Sequence, residues 1–221
     1  MKEKDWREFL ENGAAALGLR LSAFESHRFF VYMSEMQHWN RRINLTAIND
    51  PAEIAIKHFL DAIAPSSQIP DQARILDVGS GAGFPGIPLK IVRPGCHMTL
   101  IDSARKRVNF LRHVIRQLEI DKIAALHSRI ETLAQRPEQA TRFDVVVSRA
   151  LTRAADLVRV VLPLLQGGAV LMMWKGPHIR GEMDRLAALS DTLAAPLSID
   201  TRAYRLPSMD VDRHLISVRA E

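Results

Sequence analysis

The residues with the most chemical content lie in one run, Ile75-Leu76-Asp77-Val78-Gly79-Ser80-Gly81-Ala82-Gly83-Phe84-Pro85-Gly86. Residues of strand character lead straight into a loop with glycine at every second position. Glycine tolerates positive φ and has no Cβ, so such a loop lets the backbone press against a ligand. Pro88 stands where a helix begins, a position that does not need its missing N–H. Strand, glycine loop and helix start together make a nucleotide-type binding turn with N–H groups exposed at the helix N-terminus.

Two nucleotide classes compete for this turn. A dinucleotide fingerprint fits Gly81 to Gly86 only if Gly79-Ser80 is left as an insert. Begun at Gly79, it meets Phe84 where the third glycine should pack helix on strand. The run Asp77 to Gly83 instead resembles motif I of S-adenosylmethionine-dependent methyltransferases. In that class the loop wraps the methionine end of the cofactor, and a carboxylate ending the next strand holds the ribose hydroxyls. Asp102, after Leu100-Ile101, fits that carboxylate, roughly 20–25 residues downstream as a βαβ unit requires. The plain alternative is an ordinary tight turn. Agreement of strand, loop and acidic strand end favours a cofactor site.

Parallel strands and helices must position these groups. Strands are predicted near 74–78, 96–101, 122–127, 142–148 and 168–174, and helices near 86–93, 103–119, 129–136, 153–165 and 178–194. Alternation at this spacing implies βαβ units and a parallel sheet with helices on both faces. In the tail, Leu197 to Leu206 and His214 to Val218 read as two strands joined by Pro207-Ser208-Met209-Asp210. With no helix between them the pair is antiparallel. A mostly parallel seven-stranded α/β sheet ending in one hairpin is the class I methyltransferase (Rossmann-like) architecture. Residues 1–70 read as a helical extension forming one integrated unit with a core over 71–221. Asp5 to Leu17 carries Trp6, Phe9, Leu10, Ala14 and Leu17 at a period near 3.6, and Gly18 ends that helix. Ser22 with Glu25 is a capping box opening a helix to Trp39, with Phe29, Phe30, Met33, Met36 and Trp39 on its buried side. Asp50-Pro51 starts a third helix, running to about Ser66.

The chain has 221 residues, 47% hydrophobic and 25% charged, the balance of a globular α/β core plus an extension. No apolar run approaches the roughly 20 residues that span a bilayer, and the charged N-terminus has no apolar signal region. One cysteine, Cys96, excludes an intrachain disulfide, and a cytoplasmic protein is the simplest expectation. A net charge of +5 favours an anionic partner, nucleic acid above all.

Several further stretches carry a family resemblance: Trp39-Asn40, Ile43-Asn44-Leu45-Thr46, His58 to Asp61, Gly79 to Gly86, Ser148-Arg149-Ala150, Lys175-Gly176 and Leu206-Pro207. Together they resemble the RsmG (GidB) family, bacterial methyltransferases that modify a guanine N7 in 16S ribosomal RNA. Gly83-Phe84-Pro85-Gly86-Ile87-Pro88 is the most specific part. The resemblance implies S-adenosylmethionine as cofactor and the 16S RNA or small ribosomal subunit as partner. It places the backbone of Gly79 and Phe84 at the methionine end, in the loop of Gly81 and Gly83, and Ile130 and Glu131 beside the adenine. Alanine is usual in the family at the Ile130 position, which bears on pocket shape. Ile130 also reads as a buried helix-start residue, and Glu131 as a favourable charge in a first helical turn. Arg149 ends the fourth strand, where α/β sheets place ligands. A small-molecule methyltransferase and a non-catalytic RNA-binding assembly factor are the rival readings.

The sequence singles out no catalytic side chain. Guanine N7 carries an in-plane lone pair and no proton, so it attacks a sulfonium methyl without a general base. The lack of a nucleophile pair would be awkward for a hydrolase. His58 and Asp61 share a helical face. They read as a structural bond or cap tying the N-terminal helices to the core, rather than half a metal site. Arg105, Lys106 and Arg107 open the helix after Asp102, where cations oppose the macrodipole. That mismatch suggests an RNA phosphate patch, extended by Lys175, Arg180, Arg205 and Arg213; a solvated face is the plain alternative. Trp174 is core or a stacking platform, with core favoured. A monomer without metal is the expectation.

Overall fold

A computed structural model describes the chain except residues 137, 139–140, 150–151, 195 and 210–211. Ala150 and Asp210, quoted above, therefore lie outside the described residues. Seven strands form one sheet in the order β3-β2-β1-β4-β5-β7-β6. They are β1 (Arg74–Val78), β2 (His97–Asp102), β3 (Ile123–His127), β4 (Val145–Arg149), β5 (Val170–Lys175), β6 (Leu197–Arg205) and β7 (Asp212–Ala220). The first five pair in parallel, and β7 inserts antiparallel between β5 and β6. The chain moves outward from β1 through β2 to β3, then returns to β4 on the other side of β1. That reversal opens a crevice at the carboxyl ends of β1 and β4.

Side chains alternate along β1 because successive Cβ atoms point to opposite faces. Ile75 belongs to one buried cluster, and Leu76 and Val78 to the other. The first cluster also takes Trp6 and Leu10 of α1 (Glu3–Ala16), Phe29, Tyr32 and Met36 of α2 (Ala23–Ile43), and Phe110 and Val114 of α6 (Arg105–Gln117). The second takes α7 (Ile130–Ala134), α8 (Ala154–Gln166) and α9 (Arg180–Ser190). The N-terminal helices therefore share a continuous core with β1 and β2.

The local signals act as their chemistry requires. The Ser22 hydroxyl accepts from the Glu25 N–H, and Glu25 reaches back to the Ser22 N–H at 2.7 Å, closing the capping box. Gly18 sits at φ 75°, and the Leu19 N–H returns to Ala14 O at 2.9 Å, ending α1. Helix α2 runs past Trp39 to Ile43 and stops at Asn44 in the left-handed region. Its buried face includes Tyr32, while Phe30 and Trp39 are only partly buried. Asp50 caps α3 (Pro51–Ile54) through Ala52 and Glu53 N–H groups, and Pro51 takes the first helical position. The helix continues through a π-helical turn, Ala55–Leu60, into α4 (Asp61–Ile63). Such wide turns recur at functional sites. Strand β4 begins only at Val145, and the carboxylate of Asp144 just before it accepts from the backbone N–H and guanidinium of Arg74.

Candidate functional site

The glycine loop turns back on the sheet. Gly79, Gly81 and Gly83 have φ of 68°, 58° and 98°, a region L side chains rarely adopt. The Gly79 and Ser80 N–H groups both donate to Ile101 O at 3.0 Å, and the Gly81 N–H donates to Asp102 Oδ2 at 3.0 Å. The Gly83 and Phe84 N–H groups donate to Ser80 O, and the Gly86 N–H to Asp77 Oδ2 at 2.9 Å. The N–H groups expected to lie exposed are thus largely spent inside the protein. This corrects the sequence reading and removes the donors a pyrophosphate would need. Helix α5 (Gly86–Val92) starts at Gly86, so Pro88 lies inside its first turn. Lacking an N–H, Pro88 leaves the Phe84 carbonyl without its helical donor.

Asp77 lies beneath the loop and is fully buried. Its Oδ2 is taken by Gly86, whereas Oδ1 has no hydrogen-bond partner. Burial pushes its carboxyl up to about 7, against the opposing pull of the Gly86 N–H, Ser80 and Arg149. An orphaned buried oxygen costs about 1–3 kcal/mol and marks a place where a donor or cation is wanted.

Phe84 is the centre of an aromatic cluster. Tyr32 stacks on it at 5.5 Å and His58 at 4.7 Å between ring centroids. The Arg149 guanidinium stands 4.7 Å over the same ring. Tyr32 also donates its hydroxyl to Ala82 O, tying α2 to the loop. Arg149 donates to Lys57 O at 3.1 Å, to Asp61 Oδ2 at 3.3 Å and to His58 Nδ1 at 3.1 Å. Arginine has no acceptor, so His58 Nδ1 must accept and its proton lies on Nε2, facing Thr46 Oγ1 at 2.9 Å. Burial, then the neighbouring Arg149, lowers the His58 pKa to about 4, which keeps the ring neutral. Asp61 additionally takes two bonds from Arg213 at 2.9 and 2.8 Å and one from the Tyr204 hydroxyl at 2.8 Å. Its backbone oxygen accepts the Trp174 indole N–H. His58 and Asp61 therefore do join the N-terminal helices to the core, and Trp174 is buried core rather than an exposed platform.

Three cavities lie around these groups. One, of about 310 Å³, is lined by Asp102, Ile130 and Glu131 with Ile101, Leu157 and Val160. It pairs carboxylate acceptors with apolar walls, a combination suited to a nucleoside's hydroxyls and base faces. Asp102 already accepts from Gly81 and Ala104 N–H groups, but a carboxylate has about four acceptor sites, so capacity remains. A second, of about 250 Å³, is lined by Thr46, His58, the loop from Gly79 to Ala82, Phe84 and Arg149. Gly79 borders both. The third, of about 320 Å³, lies beyond His58 and Arg149. Adenosine in the first and a cationic amino-acid tail near the second, with Asp77 beneath its loop, is a combination these residues fit.

The basic residues separate into two groups. Arg105 and Lys106 are exposed on the first turn of α6. Lys175, by contrast, is mostly buried and donates to Thr152 O and Glu182. Arg213 is committed to Asp61, and the exposed Arg205 to Asp212. Sequence reasoning overlooked Tyr32 and the buried state of Asp77. Tyr32 is one aromatic in an aromatic helix face, and Asp77 stands in the motif like any strand-end carboxylate. Among the described residues no three His, Cys, Asp or Glu side chains are placed to hold a metal.

The family model described as rRNA small subunit methyltransferase G matches residues 25–203. A ribosomal RNA small subunit methyltransferase G of Geotalea uraniireducens is 38% identical over 210 residues, covering 95% of this chain and 94% of the relative. One from Lachnoclostridium phytofermentans is 37% identical over 209 residues, covering 94% and 86%. Among solved structures, Pyrococcus horikoshii TYW2 in complex with MeSAdo aligns with TM-score 0.57 at 11% identity, covering 74% of this chain and 62% of that one. Bacillus subtilis tRNA methyltransferase TrmK aligns with TM-score 0.56 at 10% identity, covering 75% and 66%, and like the former shares the fold. The chain belongs to the rRNA small subunit methyltransferase G family.

Proposed function

We propose that this protein transfers a methyl group from S-adenosylmethionine to the N7 of a guanine in 16S ribosomal RNA. The observation that carries the reading is the pair of cavities meeting at Gly79, carboxylate-lined on one side and set over the buried Asp77 on the other. Asp102 would hold the ribose hydroxyls, with Ile130 and Glu131 along the adenine. Gly79, Gly81, Gly83 and Phe84 would surround the methionine end, with Arg149 closing the far side. When bound, the cofactor supplies an electrophilic methyl whose C–S bond breaks, the pair staying on sulfur, as N7 forms the C–N bond and the purine becomes cationic.

The chain's own residues then have two tasks. The first is alignment, which supplies on the order of 7–11 kcal/mol of such a barrier. Phe84, clamped by Tyr32, His58 and Arg149, fixes the loop for that purpose. The second is charge balance. Asp61 lies against Arg149, and the buried Asp77 lies within its field, so a cation forming nearby meets carboxylates as well as a guanidinium. No proton has to leave N7, and the neutral His58 need not act as a base.

Arg105 and Lys106 would take RNA phosphates, giving salt-dependent binding without base specificity. Lys175 and Arg205 would contribute from the sheet's end while keeping their carboxylate partners, whereas the Arg213 fork is spent on Asp61. The enzyme so read is a cytoplasmic monomer, its helices and sheet one unit. The test is chemical cleavage at 7-methylguanine in 16S RNA from cells with and without the gene. A site that disappears with the gene supports the reading, and an unchanged cleavage pattern refutes it.

A further inference from the structure

We infer that the third cavity, beyond Arg149, receives the acceptor guanine itself. The inference rests on the methyl-transfer reading above and assigns its substrate side. This cavity, of about 320 Å³, is bounded by Lys57, His58, Asp61, Leu206, Met209 and Arg213 together with Arg149. His58 and Arg149 also line the cavity at the glycine loop, so the two occupants would meet across the same two side chains.

Its walls suit a purine. Leu206 is buried and Met209 half-buried, giving apolar surface for the ring faces, and a thioether packs well on aromatic rings. Guanidinium planes of the kind Arg213 offers also stack on unpaired RNA bases. The polar edge is met by Arg149. Its two terminal nitrogens are used on Lys57 O, Asp61 and His58, but its Nε–H has no partner among the described residues. Guanine presents only acceptors, N7 and O6, on the edge that carries the reacting atom, whereas adenine places an amino donor where O6 stands. A guanidinium can only donate, so the Arg149 Nε–H donates to guanine O6 and is mismatched with the amino donor of adenine.

A phosphate is the poorer occupant. Arg213 spends Nε and Nη2 on Asp61, and Lys57 is held by Glu53 at 2.5 Å, so the strongest anion-binding forks are already closed. A guanidinium beside a purine gaining positive charge would oppose transfer if it stood alone. Asp61, within 3.3 Å of Arg149, offsets that charge.

The test uses guanosine 5′-monophosphate and adenosine 5′-monophosphate as probes, titrated by NMR into protein saturated with S-adenosylhomocysteine. The wild type should bind the guanosine nucleotide about fivefold or more tighter than the adenosine one. Met209→Trp, which fills the cavity, should weaken guanosine nucleotide binding about tenfold while S-adenosylhomocysteine affinity stays within about twofold. Met209→Ala, which opens the wall, should weaken it by a smaller factor and serves if the tryptophan disturbs folding. No guanosine nucleotide binding to the wild type, equal affinity for the two nucleotides, or unaltered binding in both variants would overturn the inference. If binding behaves as stated but no methyl reaches 16S RNA, the guanine site stands and the ribosomal reading fails.

Discussion

The buried Asp77 gives the structure a pH dependence with a definite sign. Its carboxyl is raised from an ordinary 3.8 to about 7 in the folded protein, mainly by burial. The native state then binds more protons than the unfolded chain between those values, so stability falls as pH rises through that window and levels off above it. A raised carboxylate is the reverse of the usual salt-bridged case. Integrating the linkage between about pH 5 and about pH 8 gives a loss of roughly 2.5 kcal/mol from this one group. Asp77→Asn removes the titration while keeping an acceptor for the Gly86 N–H. Asparagine brings its own constant cost, an amide nitrogen placed where Oδ1 already lacks a partner. That cost cancels when each protein is compared with itself across pH. Urea unfolding at both pH values, for both proteins, should therefore show a loss in the wild type that is roughly 2.5 kcal/mol larger than in the variant. Histidine titrations elsewhere contribute equally to both and drop out. Parallel profiles for the two proteins would refute the assignment of a buried, proton-binding Asp77.

Three other substitutions probe separate parts. Gly81→Val places a β-branched residue at φ 58°, so the protein should stay folded while S-adenosylmethionine affinity in calorimetry falls about tenfold or more; unchanged affinity would count against the loop. Asp61→Ala leaves Arg149 and Arg213 without their carboxylate and should cost about 3–5 kcal/mol in urea unfolding, and a loss under about 1 kcal/mol would remove Asp61 as the hub. Lys106→Glu should weaken RNA binding and lower the slope of log affinity against log salt by about one, with cofactor binding unaltered; an unchanged slope would take α6 out of the interface.

Much of the architecture is legible because it rests on local chemistry. The capping box at Ser22, the glycine at the end of α1, Pro51 opening α3 and the alternation of strand and helix each depend on residues near one another in sequence. Two strands with no helix between them had to pair antiparallel, and β6 and β7 do. The place of Asp102 at the end of β2 was legible for the same reason, since a βαβ unit fixes where its second strand ends. What stayed hidden depends on distant partners. Asp61 meets Arg149 across 88 residues and Arg213 across 152, and no local pattern relates them. The π-helical turn that carries His58 has no signature in apolar spacing. The N–H groups of Gly79, Ser80 and Gly81 looked free in sequence because their acceptors, Ile101 O and Asp102, come from the neighbouring strand. Likewise Lys175 reads as an open strand-end cation until Glu182 and Thr152 are brought against it.

The most direct measurement is transfer of labelled methyl from S-adenosylmethionine to small ribosomal subunits isolated from cells lacking this gene, followed by digestion to nucleosides. The label is expected in 7-methylguanine of 16S RNA. Label in another base, or none despite tight cofactor binding, would contradict the proposed function.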